Sequence, residues 1–188
     1  MRFIFKTDYD QDIRIVKHGG QAFWYALLGL FLVAAPWLLF EYMLAQLVFV
    51  YIYAVVGLGL MLLAGFTGQF SIGHAAFLGV GAYTQAVLAG AGWPFPLALA
   101  CAAMLSGIVG IAVGVPALRV KGIYLGIATL AFGFIVEEGL ARWESVTGGN
   151  AGMHVKAPTM FGWTLDSSIE FYFLCLVVLV LCTLGILN

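Results

Sequence analysis

An all-α, polytopic transmembrane helical bundle of about six spans, with a broken or short third span, is the fold class this sequence predicts. Three observations predict it. Between Tyr42 and Leu118 there is no Asp, Glu, Lys or Arg. Hydrophobic residues make up 63% of the chain and charged residues 9%, against roughly 45–50% and about 25% in a soluble domain. A helix crossing a hydrocarbon core of about 30 Å needs about 20 mostly apolar residues. Six windows of that size occur, at 23–40, 42–64, 71–90, 97–115, 123–141 and 169–187. Apolar runs this long, without polar alternation, satisfy their backbone as helices and not as barrel strands. The expected organisation is a tail, residues 1–22, and one membrane domain, residues 23–188, with no room for an attached soluble catalytic domain.

The tail mixes Arg2, Lys6, Arg14 and Lys17 with Asp8, Asp10 and Asp12. No small-residue cleavage site follows the apolar run behind it, so it reads as a retained segment and not as a cleaved signal. Arg119 and Lys121 form the turn after Pro116, whereas Arg142 and Lys156 fall between the last two spans. With the amino terminus in the cytoplasm, six bases lie inside and two outside, as the positive-inside rule favours. The chain is therefore expected in a cell membrane, multi-pass, with the amino terminus and the turn at Arg119 and Lys121 cytoplasmic.

The first span closes at Pro36-Trp37 and Glu41, residues suited to an interface. The second carries Gly57 and Gly59, where it can bend or pack closely. The third holds Gly73, His74, Gly79, Gly81, Thr84 and Gln85, too polar and glycine-rich for a lipid-facing helix. Irregular backbone at membrane depth is tolerated where protein buries it or a wet cavity borders it. Gly65 and Gly68, just before this span, are further candidates for a backbone break. Trp93-Pro-Phe-Pro96 makes a rigid interfacial turn. In the fourth span Ser106, Gly110 and Gly114 recur every fourth residue, a stripe for close helix contact, and Gly122 and Gly126 repeat that spacing at the start of the fifth. The longest connection, 142–168, contains Thr147-Gly-Gly-Asn-Ala-Gly152 and reads as flexible turn material facing outward.

Polar side chains inside a membrane are costly and usually face a bundle interior or an aqueous path. Gln69, Ser71 and His74 are thus the leading candidates for a translocation surface. Ser71 and His74 share a helical face if the helix has begun at Ser71, with Gln69 in the turn before it. The competing reading is that His74 bonds a neighbouring backbone carbonyl and locks two helices together. Glu138 stands four residues before Arg142, a favourable helical ion pair. Glu137 has no such local partner and is the better candidate for a cavity role.

No chemistry of the enzymatic kind is legible. His18, His74 and His154 fall in the tail, a span and a loop, without ligand spacing, and no cofactor or metal is expected. There is no His-Glu-x-x-His, no Gly-x-Ser-x-Gly and no Gly-x-x-x-x-Gly-Lys. If ATP drives the protein, another chain must bind it. Cys101, Cys175 and Cys182 lie in predicted spans and read as small buried hydrophobes. No basic, aromatic-studded surface argues for nucleic acid.

Three blocks resemble a known family: Gly65-Phe-Thr-Gly-Gln-Phe-Ser-Ile-Gly-His-Ala-Ala-Phe-Leu-Gly-Val-Gly-Ala-Tyr83, Leu118-Arg-Val-Lys-Gly-Ile-Tyr-Leu-Gly-Ile-Ala-Thr-Leu-Ala-Phe-Gly133 and Thr147-Gly-Gly149. Together they look like the membrane permease of branched-chain amino acid ABC importers, nearest to the LivM-type subunit, over roughly residues 45–160. The family's Gly-Gln-x-Ser-x-Gly-His block falls on Gly68, Gln69, Ser71, Gly73 and His74, and its Arg-x-x-Gly-x-Tyr element on Arg119, Gly122 and Tyr124. The resemblance implies a non-catalytic subunit that works with a second permease subunit, cytoplasmic ATPase subunits and an extracytoplasmic substrate-binding protein. Relatives of the family also carry urea-like amides and aromatic acids. One departure matters: the acid often found after Leu-Ala-Phe-Gly is Phe134 here, so no role passes to Glu137 or Glu138 by inheritance. The family also continues past this point with a basic coupling segment and further helices, so a chain ending at Asn188 is expected to be a fragment or a truncated product. Two other classes fit the residues alone, an ion-coupled secondary transporter or channel subunit and a structural membrane protein whose glycine stripes only pack helices.

Overall fold

The computed structural model describes residues 19–69, 71–117, 119–120, 122–155, 157–160, 163–164 and 167–187. Lys121, Lys156 and residues 1–18 of the tail lie outside the described residues. The chain divides into two compact units, Met1–Leu44 and Ala45–Asn188. The first contains α1 (Gly19–Leu38), an apolar helix with Pro36 in its last turn, and the start of α2 (Glu41–Thr67). The remainder of α2 belongs to the second unit, with α3 (His74–Gly90), α4 (Phe95–Ala117), α5 (Ile123–Arg142), the one-turn α6 (Glu144–Thr147) and α7 (Ser168–Leu187). A two-residue antiparallel ladder, Thr159–Met160 with Trp163–Thr164, lies in the connection before α7.

Five of these helices are long and apolar enough to cross a membrane: Gly20–Leu38, Glu41–Thr67, Phe95–Ala117, Ile123–Arg142 and Ser168–Ile186. At 1.5 Å per residue the 27 residues of α2 extend about 40 Å, beyond a hydrocarbon core of about 30 Å. The 17 residues of α3 reach only about 25 Å. The short third span expected from the sequence is therefore α3. It begins at His74 and not at Ser71, because Gly68, Gln69, Ser71, Ile72 and Gly73 are non-helical among the described residues of the connection from α2.

Small residues determine how the second unit packs. In that unit α3 runs along α4 more extensively than along any other helix and makes its next largest contact with α5. Ala76 and Ala86 on α3 and Ala98 and Ala102 on α4 are buried, and side chains this small let helix backbones approach where lipid offers no hydrophobic drive to associate. The turn into α4 follows from its prolines. Pro94 supplies the carbonyl that accepts the N–H groups of Leu97 and Ala98, and Pro96 occupies the first turn, where a missing N–H costs nothing. Pro116 lies near the end of α4, after which Pro116 and Ala117 carbonyls accept the N–H groups of Arg119 and Val120 in a turn. Elsewhere in the unit Tyr172 of α7 is fully buried and its hydroxyl bonds that of Tyr51 on α2 at 2.5 Å.

The connection after α5 differs from the flexible turn its composition suggests. Thr147 is 1% exposed. Its hydroxyl lies 2.6 Å from the Leu140 carbonyl and 2.8 Å from that of Trp143, and it accepts the Gly149 N–H at 3.2 Å. Gly149, at φ +59°, has no room for a Cβ, which would stand 2.8 Å from Glu144 Cγ and 3.1 Å from the Ala141 carbonyl oxygen. Thr147-Gly148-Gly149 is thus a hydrogen-bonded cap folded back on the end of α5. The exposed Glu138 and Arg142 on α5 form the ion pair expected from their spacing.

Candidate functional site

The break between α2 and α3 is held against α5 by two contacts. The Ile72 N–H donates to the Thr129 hydroxyl at 3.0 Å, and that hydroxyl donates to the Gly126 carbonyl at 2.9 Å. Gly73 lies against the α5 backbone so closely that a Cβ on it would stand 1.8 Å from the Thr129 carbonyl oxygen, and a Cβ on Gly133 would stand 3.5 Å from the Gly73 Cα. Gly73 has φ −86°, an ordinary value, so close approach and not backbone conformation explains the glycine. Gly68 is the opposite case. Its φ of +64° is a left-handed conformation that glycine adopts without steric cost, and nothing lies within 4 Å of a Cβ placed there. Gly65 is helical, inside α2, and has neither feature.

A cavity of about 910 Å³ opens beside this break, bordered by α2, α3, α4 and the first part of α5. Gln69, Ser71 and His74 all border it. Since α3 starts at His74, the three side chains converge from an irregular segment and the first residue of the helix, not from one helical face. The imidazole of His74 rests against α2 at Gly59, where a Cβ would stand 3.2 Å from Nε2. Its ring meets Phe77 edge-on at a centroid distance of 5.8 Å, and Phe77 in turn packs on Phe132 of α5 at 5.5 Å. Nδ1 of His74 is buried and has no hydrogen-bond partner among the described residues. Here the bond to a neighbouring carbonyl that would make His74 a simple helix lock is not formed at Nδ1.

The far wall is the small-residue stripe of α4. Ser106 donates to the Phe77 carbonyl at 2.9 Å, and a Cβ on Gly110 would lie 3.8 Å from Phe77 Cε1, so these two residues contact α3. Gly114 has nothing within 4 Å and only borders the cavity. On α3, Gly81 borders the cavity with open space over it, whereas Gly79 turns the other way, toward Leu140. Arg119 is exposed in the turn between α4 and α5.

Glu137 is not brought into this group. It is exposed and borders a separate hollow of about 340 Å³ between α3 and α5, with Gly79, Gly133 and Leu140. The reason is position along α5: Thr129 is the last residue of that helix at the larger cavity, and Glu137 lies eight residues, about 12 Å, further on. Thr129 and Gly133, which hold the break in place, were not singled out by the sequence reading. They lie three and seven residues after Gly126, on the same helical face, the one local signal that could have found them.

A comparison with known families matches residues 42–188 to the family described as branched-chain amino acid transport system / permease component. The high-affinity branched-chain amino acid transport system permease protein LivM of Salmonella typhimurium is 39% identical over 119 residues, 62% of this chain and 28% of that protein. The LivM protein of Escherichia coli is 39% identical over 113 residues, 59% of this chain and 27% of its own length. The chain thus spans little more than a quarter of the length of these curated relatives. No solved structure gives a significant match.

Proposed function

The chain belongs to the family of branched-chain amino acid transport permease components, and from that premise we propose that it forms part of the substrate path of an ABC importer for branched-chain or related amino acids. The observation that carries this reading is the convergence of Gln69 and Ser71, from a non-helical break, and His74, at the start of α3, on one cavity of about 910 Å³. That size falls within the roughly 300–1,000 Å³ of small-molecule sites. Its lining is mostly small and apolar, which suits an aliphatic side chain, while the polar groups gather where the backbone departs from helix. Discontinuous helices whose ends meet a bound substrate are the recurrent means of building a polar site inside a membrane, and the amino-terminal end of α3, with its positive dipole, favours a carboxylate there.

The subunit is non-catalytic in this account. Cytoplasmic ATPase subunits supply the energy, a second permease subunit completes the path, and an extracytoplasmic binding protein delivers the amino acid. The amino terminus and the Arg119 turn are cytoplasmic, and Asn150 lies outside, on the distribution of bases. The decisive experiment is uptake of L-leucine by the full assembled complex in vesicles. Uptake that needs both ATP and the binding protein supports the importer. Uptake that persists without either, and collapses with an uncoupler, assigns the same cavity to an ion-coupled transporter instead.

A further inference from the structure

Gln85 lies eleven residues after His74 on α3, and eleven steps of a helix with 3.6 residues per turn bring a side chain back to within about 20° of its starting direction. The two residues therefore share one face, about 16 Å apart along the axis. Phe77, Leu78, Gly81 and Ala82 occupy that face between them, and all six border the large cavity. The result is an apolar floor with a polar residue at each end.

What distinguishes those ends is the state of their polar atoms. Three hydroxyls on the cavity satisfy themselves on backbone carbonyls: Thr67 donates to Leu63, Ser106 to Phe77 and Thr129 to Gly126. Thr84, next to Gln85, donates to Val80 at 2.7 Å, the ordinary outcome for a hydroxyl within a helix. In contrast, Nδ1 of His74 and Oε1 of Gln85 are buried without a hydrogen-bond partner among the described residues. Buried polar atoms in native proteins are nearly always paired, and exceptions call for a water, an ion or a ligand.

We propose that Gln85 is a second polar station of the substrate path, where its side chain rotates to bring the buried, unpaired amide oxygen into the cavity and accept a hydrogen bond from the ammonium group of an amino acid whose aliphatic side chain lies on the Phe77, Leu78, Gly81 and Ala82 floor. The proposal rests on the importer reading. An α-amino acid cannot occupy both ends together, because its ammonium and carboxylate are separated by only two bonds of about 1.5 Å each. His74 and Gln85 are therefore successive resting positions, not two halves of one site. With the amino terminus in the cytoplasm, α3 runs outward, and Gln85 is the position nearer the binding protein. A ligand moves between the two over a surface that makes no hydrogen bonds, which keeps either position from holding it too tightly to leave.

The test uses the full assembled importer with L-leucine as probe. Gln85→Met keeps the length and shape of the side chain but has no amide, whereas Gln85→Asn keeps the amide. Losing one hydrogen bond to a charged ligand group is expected to lower leucine uptake per assembled complex, at saturating binding protein, about tenfold in Gln85→Met, with a smaller fall in Gln85→Asn. Unchanged uptake per complex in Gln85→Met overturns the station. Absence of leucine uptake by the wild-type complex would instead refute the importer reading, and a second measurement then decides the station by itself. In a cysteine-free background, a Gln85→Cys variant is expected to react with a small hydrophilic thiol reagent added from the extracytoplasmic side. Ile108→Cys serves as control, since Ile108 is exposed but does not border the cavity. Reactivity at position 85 no greater than at position 108 overturns the proposal.

Discussion

Gly59 of α2 lies under the imidazole of His74, with a Cβ at position 59 falling 3.2 Å from Nε2. The missing side chain is what lets the ring lie against α2 while its other nitrogen, Nδ1, stays buried without a bond among the described residues. One glycine on α2 thereby fixes the position of a polar group on α3.

That relationship predicts a graded response. Gly59→Ala requires His74 to give by a few tenths of an ångström and is expected to lower uptake per assembled complex modestly. Gly59→Leu must displace the ring altogether; overpacking of this kind costs about 1–3 kcal/mol, enough to reduce uptake about tenfold or more. Uptake by Gly59→Leu equal to wild type would show that the observed position of His74 is not required.

Gly73, just before α3, and Gly81, within it, predict opposite outcomes. A methyl group at Gly73 meets the Thr129 carbonyl oxygen at 1.8 Å, backbone against backbone, and can be accommodated only by separating α3 from α5. Gly73→Ala is expected to cost at least about 2 kcal/mol and to lower the amount of assembled complex recovered from membranes. At Gly81 a methyl group meets nothing within 4 Å, and alanine is the better helix former. Gly81→Ala should be recovered at wild-type abundance. Equal recovery of the two variants would remove the close contact between the break and α5.

The Arg119 turn and the loop after α5 test the orientation. Single cysteines are placed by Val120→Cys and Asn150→Cys in a cysteine-free background. An impermeant thiol reagent is expected to label only the second in intact cells, because six bases fall on one side and two on the other. Labelling of the Val120→Cys variant from outside would reverse the topology.

Much of this architecture is legible in the sequence, for reasons specific to membranes. A run from Tyr42 to Leu118 without a charge has only one solvent it can inhabit, and glycines among polar residues mark the one place where the helix must stop. Less legible is where that stop falls. Ser71 and His74 have helical spacing, but Gly73 is drawn onto α5 by contacts 56 to 60 residues away, with Thr129 and Gly133, and the helix starts only after it. Thr147-Gly148-Gly149 misleads for a similar reason. Its composition is that of a flexible turn, yet the Thr147 hydroxyl finds the Leu140 and Trp143 carbonyls left over at the end of α5 and becomes buried. Glu137 shows the limit of local reasoning on function. An acid without an i, i+4 partner suggests a cavity role, but which cavity depends on the eight residues of α5 that carry it past Thr129 to a different hollow.

The central claim is that Gln69 and His74 line the substrate path, and the most direct measurement compares transport with abundance for Gln69→Ala and His74→Ala in the complete assembled importer. Each substitution removes a polar group from the cavity without enlarging any side chain, so neither forces helices apart. Uptake of L-leucine per complex is expected to fall about tenfold, the consequence of losing one hydrogen bond to a charged ligand group, while membrane abundance stays near wild type. The contradictory result is the reverse order in both variants: abundance falls, and each surviving complex transports at the wild-type rate.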